Sequence, residues 1–79
     1  AARIYIGVGR SANIRPQDLV GAITNEANIR SAEIFGIEIA DRFSLVEVAS
    51  DVADRVIEAL RSTTLRGKRV SVRRDRERV

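Results

Sequence analysis

Cysteine, histidine, tryptophan and methionine are all absent from this sequence of 79 residues. Without Cys or His, the chain has no disulfide, no zinc site of the usual kind, no Cys nucleophile and no His-based catalytic triad. No apolar run approaches the roughly 20 residues that a membrane-spanning helix needs, and no signal peptide is recognisable. We therefore expect no membrane partner, and these absences fit a cytoplasmic protein.

Aromatic residues are scarce, with one Tyr and two Phe against a hydrophobic share of 44%. A domain this small must have a compact core. We predict that this core consists mostly of Ile, Val, Leu and Ala. Any aromatic side chain on the surface would then be conspicuous.

The basic residues are concentrated near the carboxyl terminus. Residues 1–60 hold six Arg and nine acidic residues, whereas residues 61–79 hold seven Arg and one Lys against two acidic residues. The two parts have formal charges of −3 and +6, which give the net charge of +3. A concentrated basic segment is the usual electrostatic footprint of a polyanionic partner, and a solubilising surface is the alternative.

Hydrophobic periodicity predicts four strands and two helices in the order β-α-β-β-α-β. The predicted strands alternate between apolar and polar side chains and comprise residues 4–8, 37–39, 43–48 and 68–73. The first helix is predicted to begin at Pro16, with Asp18 in its first turn. Ser50 is the predicted N-cap of the second helix.

This order predicts an α+β, ferredoxin-like fold, in which two helices cover one face of a four-stranded antiparallel sheet. A two-residue turn at residues 41–42 would join the second and third strands and place Ala40 opposite Phe43. We expect residues 1–74 to form the domain and residues 75–79 to form a charged, disordered tail. The sheet face away from the helices is left open to solvent.

Two of the three aromatic side chains are predicted to lie on this open face. Tyr5 points outward because both of its apolar neighbours take core positions, and Phe43 points outward by the same alternation. Single-stranded RNA needs such rings, because every base has a π-face on which it can stack. Arg69 and Arg73 on the last strand would contact phosphates or bases. The alternative is that Tyr5 and Phe43 only pair across the sheet.

Further cationic side chains complete the predicted RNA-binding set. Arg10 and Arg15 flank the start of the first helix, where backbone N–H groups can bind a phosphate. The other basic members of the set are Arg42, Lys68 and Arg74. Glu38 and Glu47 also point outward, but with no third ligand and no enclosing pocket we predict neither a metal site nor a catalytic residue.

Two segments resemble the signatures of RNA-recognition motifs. Residues 4–9, IYIGVG, are similar to the hexamer of the first strand, with Tyr5 in the base-stacking place, and residues 41–48, DRFSLVEV, resemble a degenerate octamer. Phe43 matches the first aromatic residue of the octamer, whereas Leu45 replaces the second. The resemblance implies an RNA-binding sheet that includes Tyr5, Phe43 and Leu45.

A more specific resemblance is to the C-terminal RNA-binding domain of DbpA-type DEAD-box helicases. Residues 14–26 are very similar to the first-helix segment of that family, residues 37–48 and 52–57 continue the similarity, and the whole resemblance covers residues 3–74. It implies a parent enzyme that uses ATP and magnesium to unwind short RNA duplexes. This domain would tether the helicase core to structured RNA with a single-stranded loop or flank, in some members ribosomal RNA.

The fragment itself is not expected to be an enzyme or to hold a cofactor. It contains neither a G-x-x-x-x-G-K-[ST] phosphate loop nor an Asp-Glu-Ala-Asp motif. Because it starts at Ala1 and has no Met, we expect it to be a piece of a longer polypeptide. Two other functions stay open, a protein–protein or dimerisation module that uses the open sheet face and a small-molecule regulatory domain, and both predict binding that barely changes with salt.

Overall fold

Four strands form an antiparallel sheet in the computed structural model, which describes residues 1–75. The strands are β1 (Ala2–Ile6), β2 (Ile34–Ile39), β3 (Ser44–Val48), β4 (Thr64–Leu65), β5 (Lys68–Arg69) and β6 (Val72–Arg74), and the helices are α1 (Pro16–Ala27) and α2 (Ala53–Arg61). The sheet order is β2-β3-β1-β6, and the short β4 and β5 form a separate hairpin. The helices pack against each other and against the sheet. The predicted ferredoxin-like α+β fold is confirmed.

The core lies between the helices and the inner face of the sheet. Within residues 1–75, the hydrophobic residues of the core are Ile, Val, Leu and Ala, as predicted, and none of the three aromatic side chains is buried. Every second residue of β1 and β3 is buried, which leaves the alternate side chains on the open face. Complete burial of one Ile, Val or Leu side chain contributes roughly 1.5–3 kcal/mol to the free energy of folding. This alternation fixes which side chains face solvent.

The start of α1 follows the prediction closely. Pro16 is the first helical residue, and the Asp18 carboxylate accepts a hydrogen bond from the backbone N–H of Arg15 at 2.9 Å. Leu19 and Ile23 then point into the core. Asn28, in the left-handed conformation with φ of 56°, ends the helix.

The second helix begins later than expected. Residues 50–52 form a 3₁₀ turn, and α2 begins at Ala53 with Val52 as its N-cap. The prediction that Ser50 is the N-cap is therefore wrong. The turn places Val52 in the core before the helix proper starts, so its burial does not require α-helical geometry.

The predicted last strand, residues 68–73, is two separate strands. Arg66 and Gly67 both have positive φ angles, 52° and 77°. A two-residue turn of this kind has the twist of a tight hairpin, and it pairs β5 back onto β4. Only β6 continues the main sheet, beside β1.

The second strand is longer than predicted, because β2 begins at Ile34. Its register against β3 shifts between Ile34 and Gly36, which is a bulge. A bulge breaks the period-two pattern by which a strand is read from sequence. Phe35 lies at this bulge with 58% of its surface exposed.

The end of the described chain still pairs with β1. The backbone N–H of Asp75 donates to the carbonyl of Arg3 at 2.9 Å, and the two side chains lie 3.8 Å apart. The rest of the predicted tail, residues 76–79, lies outside the described residues. Within residues 1–75, no helix is long and apolar enough to cross a membrane.

Candidate nucleic-acid interface

The strand register places four side chains in one row across the open face. Tyr5 on β1 lies between Leu45 on β3 and Arg73 on β6, and Glu38 on β2 lies beyond Leu45. All four side chains point to the same side of the sheet as Tyr5, away from the core. Residues from four different strands thus form one row on the open face.

Phe43 is adjacent to this row. The ring centroids of Tyr5 and Phe43 are 5.6 Å apart and their planes differ by 18°, which is an offset stack. Phe43 is 37% exposed. Its position just before β3 is fixed by the hairpin, in which the Ala40 N–H donates to the Phe43 carbonyl at 2.8 Å. The two aromatic residues are therefore side by side on the open face, as predicted.

The guanidinium of Arg73 completes the aromatic cluster. Its Cζ atom lies over the Tyr5 ring, 4.3 Å from the centroid, in a cation–π contact. At an exposed site such a contact is worth about 0.5–1 kcal/mol. Arg73 thus covers one side of the Tyr5 ring.

The loop after β1 is fastened to the β2–β3 turn. Backbone N–H groups of Arg10 and Ser11 each donate at 2.9 Å, to the carbonyls of Ala40 and Asp41 respectively. The Arg10 guanidinium adds a 3.2 Å hydrogen bond to the carbonyl of Ile39. These hydrogen bonds hold the loop in place. They also bind the Arg10 guanidinium to a backbone carbonyl of β2.

A buried hydroxyl supports the same loop from inside. The Ser44 hydroxyl, which is fully buried, donates to the Val8 carbonyl at 2.7 Å. Removing a partner from a buried hydrogen bond costs about 1–3 kcal/mol. The Ser44 hydroxyl thus has a hydrogen-bond partner inside the core, and the Val8 carbonyl has a donor.

The predicted cations fall into several places. Arg42, Lys68 and Arg69 line one groove of about 450 Å³ at the end of the sheet that carries the β2–β3 turn. The expectation that Arg69 lies beside Arg73 on the sheet is wrong, because Arg69 belongs to the β4–β5 hairpin. Arg73 is the predicted cation that reaches the aromatic rings.

Arg74 lies on the other side of the sheet. It pairs with Ile4, which points into the core, and its guanidinium contacts the Asp54 carboxylate of α2 at 3.1 Å. The alternation that exposes Arg73 thus directs Arg74 to the helical side. The structure separates these two predicted residues.

Arg15 is exposed at the start of α1. The amino terminus of this helix already has a carboxylate partner, Asp18. Asp18 accepts the Arg15 N–H and also lies 3.3 Å from the guanidinium of Arg66. A phosphate bound there would have to compete with this carboxylate. The proposed phosphate contact at the helix terminus stays a prediction.

The end of the open face away from the turn is acidic. The Arg3 guanidinium lies 3.6 Å from Glu47 and 3.8 Å from Asp75. A second groove of about 260 Å³ contains Glu38 and Glu47 together with Arg3. Within residues 1–75, no group of three His, Cys, Asp or Glu side chains is arranged to hold a metal ion.

Two features were missed by the sequence analysis. Phe35 is exposed at the β2 bulge, and Arg3 bridges the carboxylates of β3 and the chain end. The sequence did contain a signal for the bulge at Phe35, because a glycine inside a strand, here Gly36, often marks a bulge. Arg3 precedes the predicted first strand. Its position between Glu47 and Asp75 follows from the pairing of β1 with its neighbouring strands.

Comparison with protein families decides the identity. The family model described as the DbpA RNA-binding domain matches residues 3–74. The chain belongs to this family. It is an RNA-binding domain of the DbpA type, and the resemblance read from its helix and hairpin segments is confirmed.

Two relatives agree with this membership. The domain is 30% identical over 73 residues to an uncharacterized protein of Treponema pallidum, covering 92% of this chain and 32% of that protein. It is also 30% identical over 70 residues to the ATP-dependent RNA helicase DbpA of Bacillus subtilis, covering 89% of this chain and 15% of the helicase. The chain thus spans a third or less of the length of these relatives.

Solved structures agree with the fold. The DbpA-type domain superposes on the Nab3 RRM, a structure solved to study recognition of non-polyadenylated RNAs, with a TM-score of 0.79. The sequence identity is 18%, and the match covers 98% of this chain and 97% of the other. At this identity the similarity concerns the fold alone.

Proposed function

We propose that this DbpA-type domain binds single-stranded segments of structured RNA on its open sheet face. The observation that carries the proposal is the stack of Tyr5 and Phe43, with the Arg73 guanidinium over Tyr5. Aromatic rings on an exposed sheet hold bases by stacking, and a neighbouring guanidinium holds phosphates. Leu45 gives the row an apolar but weaker stacking surface than an aromatic residue would.

In the parent chain, the domain is proposed to tether an ATP-dependent RNA helicase core to its RNA in the cytoplasm, with ribosomal RNA as a candidate. ATP and magnesium would then be bound by the core and not by this domain. Deleting residues 3–74 from the parent should raise the RNA concentration needed for half-maximal ATP hydrolysis. Unchanged RNA dependence would contradict the tether.

A salt titration tests RNA binding by the isolated domain. Binding to a fluorescent RNA hairpin with a single-stranded flank, and to a single-stranded control, is measured by anisotropy at several salt concentrations. Each single-strand phosphate contact contributes about 0.7 to the slope of log affinity against log salt. Arg73→Gln should therefore weaken binding and flatten the slope by about 0.7.

Arg55→Gln is the matched control, because Arg55 is exposed on α2 on the opposite side of the sheet. It should leave the slope unchanged. A wild-type slope near zero would instead indicate the alternative, a protein–protein or dimerisation module. Equal slopes for the wild type and Arg73→Gln would show that Arg73 does not contact an RNA phosphate.

A further inference from the structure

The groove at the turn end of the sheet is lined by residues that are close to the aromatic pair in the chain. We call it the turn-end groove; its walls are the loop after β1, the β2–β3 turn and the segment from Lys68 to Val70, and its volume is about 450 Å³. Arg42 in one wall immediately precedes Phe43 in the chain. Gly7, another lining residue, follows Tyr5 by two residues.

The turn-end groove is positively charged. Arg42, Lys68 and Arg69 face one carboxylate, Asp41, which gives a formal charge of +2. In the described part of the chain, none of these three cations forms an ion pair. They can therefore contact a phosphate without first breaking a salt bridge.

The groove at the other end of the face has the opposite charge. Glu38 and Glu47 face one guanidinium, that of Arg3, which gives a formal charge of −1. Arg3 is moreover shared between Glu47 and Asp75. The open face thus has a charge gradient from one end to the other, with the aromatic pair between the two grooves.

The shape of the turn-end groove is set before any ligand binds. Arg10 and Ser11 fasten the loop to the turn through their backbone N–H groups. Gly7 is one of the lining residues, and a Cβ added there would lie 3.4 Å from the Cβ of Ser71, an ordinary contact. A larger residue at this lining position is therefore compatible with the backbone.

We propose that the turn-end groove takes the ribose and phosphate of the nucleotide next to the bases stacked on Tyr5 and Phe43. The RNA strand then leaves the aromatic pair towards the β2–β3 turn and avoids the acidic end. The inference rests on the proposed function, because it needs bases on the sheet. It assigns Arg42, Lys68 and Arg69 a shared role that their separation in the sequence does not reveal.

The test uses two independent changes to the groove and a matched control. The double variant Arg42→Gln/Arg69→Gln removes charge, and Gly7→Val adds a bulky side chain at a lining residue. Arg30→Gln/Arg55→Gln makes the same chemical change at exposed positions away from the groove. Affinity for a single-stranded RNA is measured by anisotropy at several salt concentrations, and the melting midpoint of each variant is recorded.

We expect the groove double variant to lose about fivefold in affinity per lost contact at 0.1 M salt, with the log–log slope reduced by about 0.7 per contact. Gly7→Val should cause a loss of similar size at an unchanged melting midpoint. Combining it with the charge changes should add little, because both act on one site. Arg30→Gln/Arg55→Gln should bind like the wild type.

The outcomes separate this inference from the proposed function. If Tyr5→Ala weakens binding but both groove variants bind like the wild type, the groove is not a nucleotide site and the sheet function stands. If Gly7→Val alone binds like the wild type, the strand passes the cations without entering the groove, and the inference fails. If Tyr5→Ala and the groove variants all bind like the wild type, the proposed function fails as well.

Discussion

Tyr5→Ala is expected to weaken RNA binding by about 1–3 kcal/mol, the usual cost of removing one base–aromatic stack. Its effect on folding should be smaller, because Tyr5 points out of the core, where its ring contacts Phe43 and Arg73. An aromatic pair contributes about 0.5–1.5 kcal/mol. A buried Phe would instead cost roughly 3–5 kcal/mol of stability on truncation. Affinity by anisotropy and the melting midpoint of the same sample distinguish the two cases.

Phe35→Ala is the matched control for this prediction. Phe35 is more exposed than Phe43, at 58% against 37%, and it lies on the edge strand β2 away from the Tyr5 row. It should leave RNA affinity unchanged, whereas Leu45→Phe should strengthen single-strand binding by adding a ring beside Tyr5. Equal losses for Tyr5→Ala and Phe35→Ala would show that the row is not the binding site.

Gly9→Ala is expected to lower the free energy of unfolding by about 3 kcal/mol, at the upper end of the usual cost of overpacking. A Cβ at this position would collide with the Ala40 carbonyl oxygen and would lie 2.7 Å from the Phe43 nitrogen and 2.9 Å from the Asp41 carbonyl oxygen. All three are backbone atoms of the hairpin turn, which cannot rotate away as a side chain can. Chemical denaturation measures the change directly.

Gly7→Ala provides the comparison for Gly9→Ala. The new Cβ would meet Ser71 at 3.4 Å and no closer atom, so stability should change little. Gly9→Ala should also weaken RNA binding, because the collision displaces the turn that positions Phe43. Wild-type stability for Gly9→Ala would show that the loop and the turn are not packed as described.

The outward position of the aromatic pair was predictable because two strong local rules agree. Strand alternation fixes the parity of Tyr5, and a two-residue turn allows only one register for the hairpin that carries Phe43. The structure has both features. No knowledge of long-range packing was needed to place either ring on the open face.

The positions of the cations were harder to predict, because they depend on irregular segments. The positive φ angles at Arg66 and Gly67 fold Lys68 and Arg69 into their own hairpin, so the basic run is not one strand. Strand alternation across β6 then sends Arg73 and Arg74 to opposite faces. The charge of the segment was evident from composition, but the division of its charges between two surfaces was not.

The role of Asp18 also depended on tertiary structure. Sequence alone placed it in the first turn of α1, where a carboxylate stabilises the helix. Its contact with Arg66 joins residues that are 48 positions apart and reduces the space for a phosphate at the helix terminus. The predicted contribution of residues 10–18 to RNA binding therefore needs a direct measurement.

A backbone amide chemical-shift map, recorded while single-stranded RNA is added, tests the central claim most directly. We predict the largest changes at Tyr5, Phe43 and Arg73, with further changes in the turn-end groove and none on the exposed side of α2. Changes at residues 10–18 as well would extend the interface to the start of α1. If the amides of β1, β3 and β6 do not move while those of the helices do, RNA does not bind the open sheet face, and the account is contradicted.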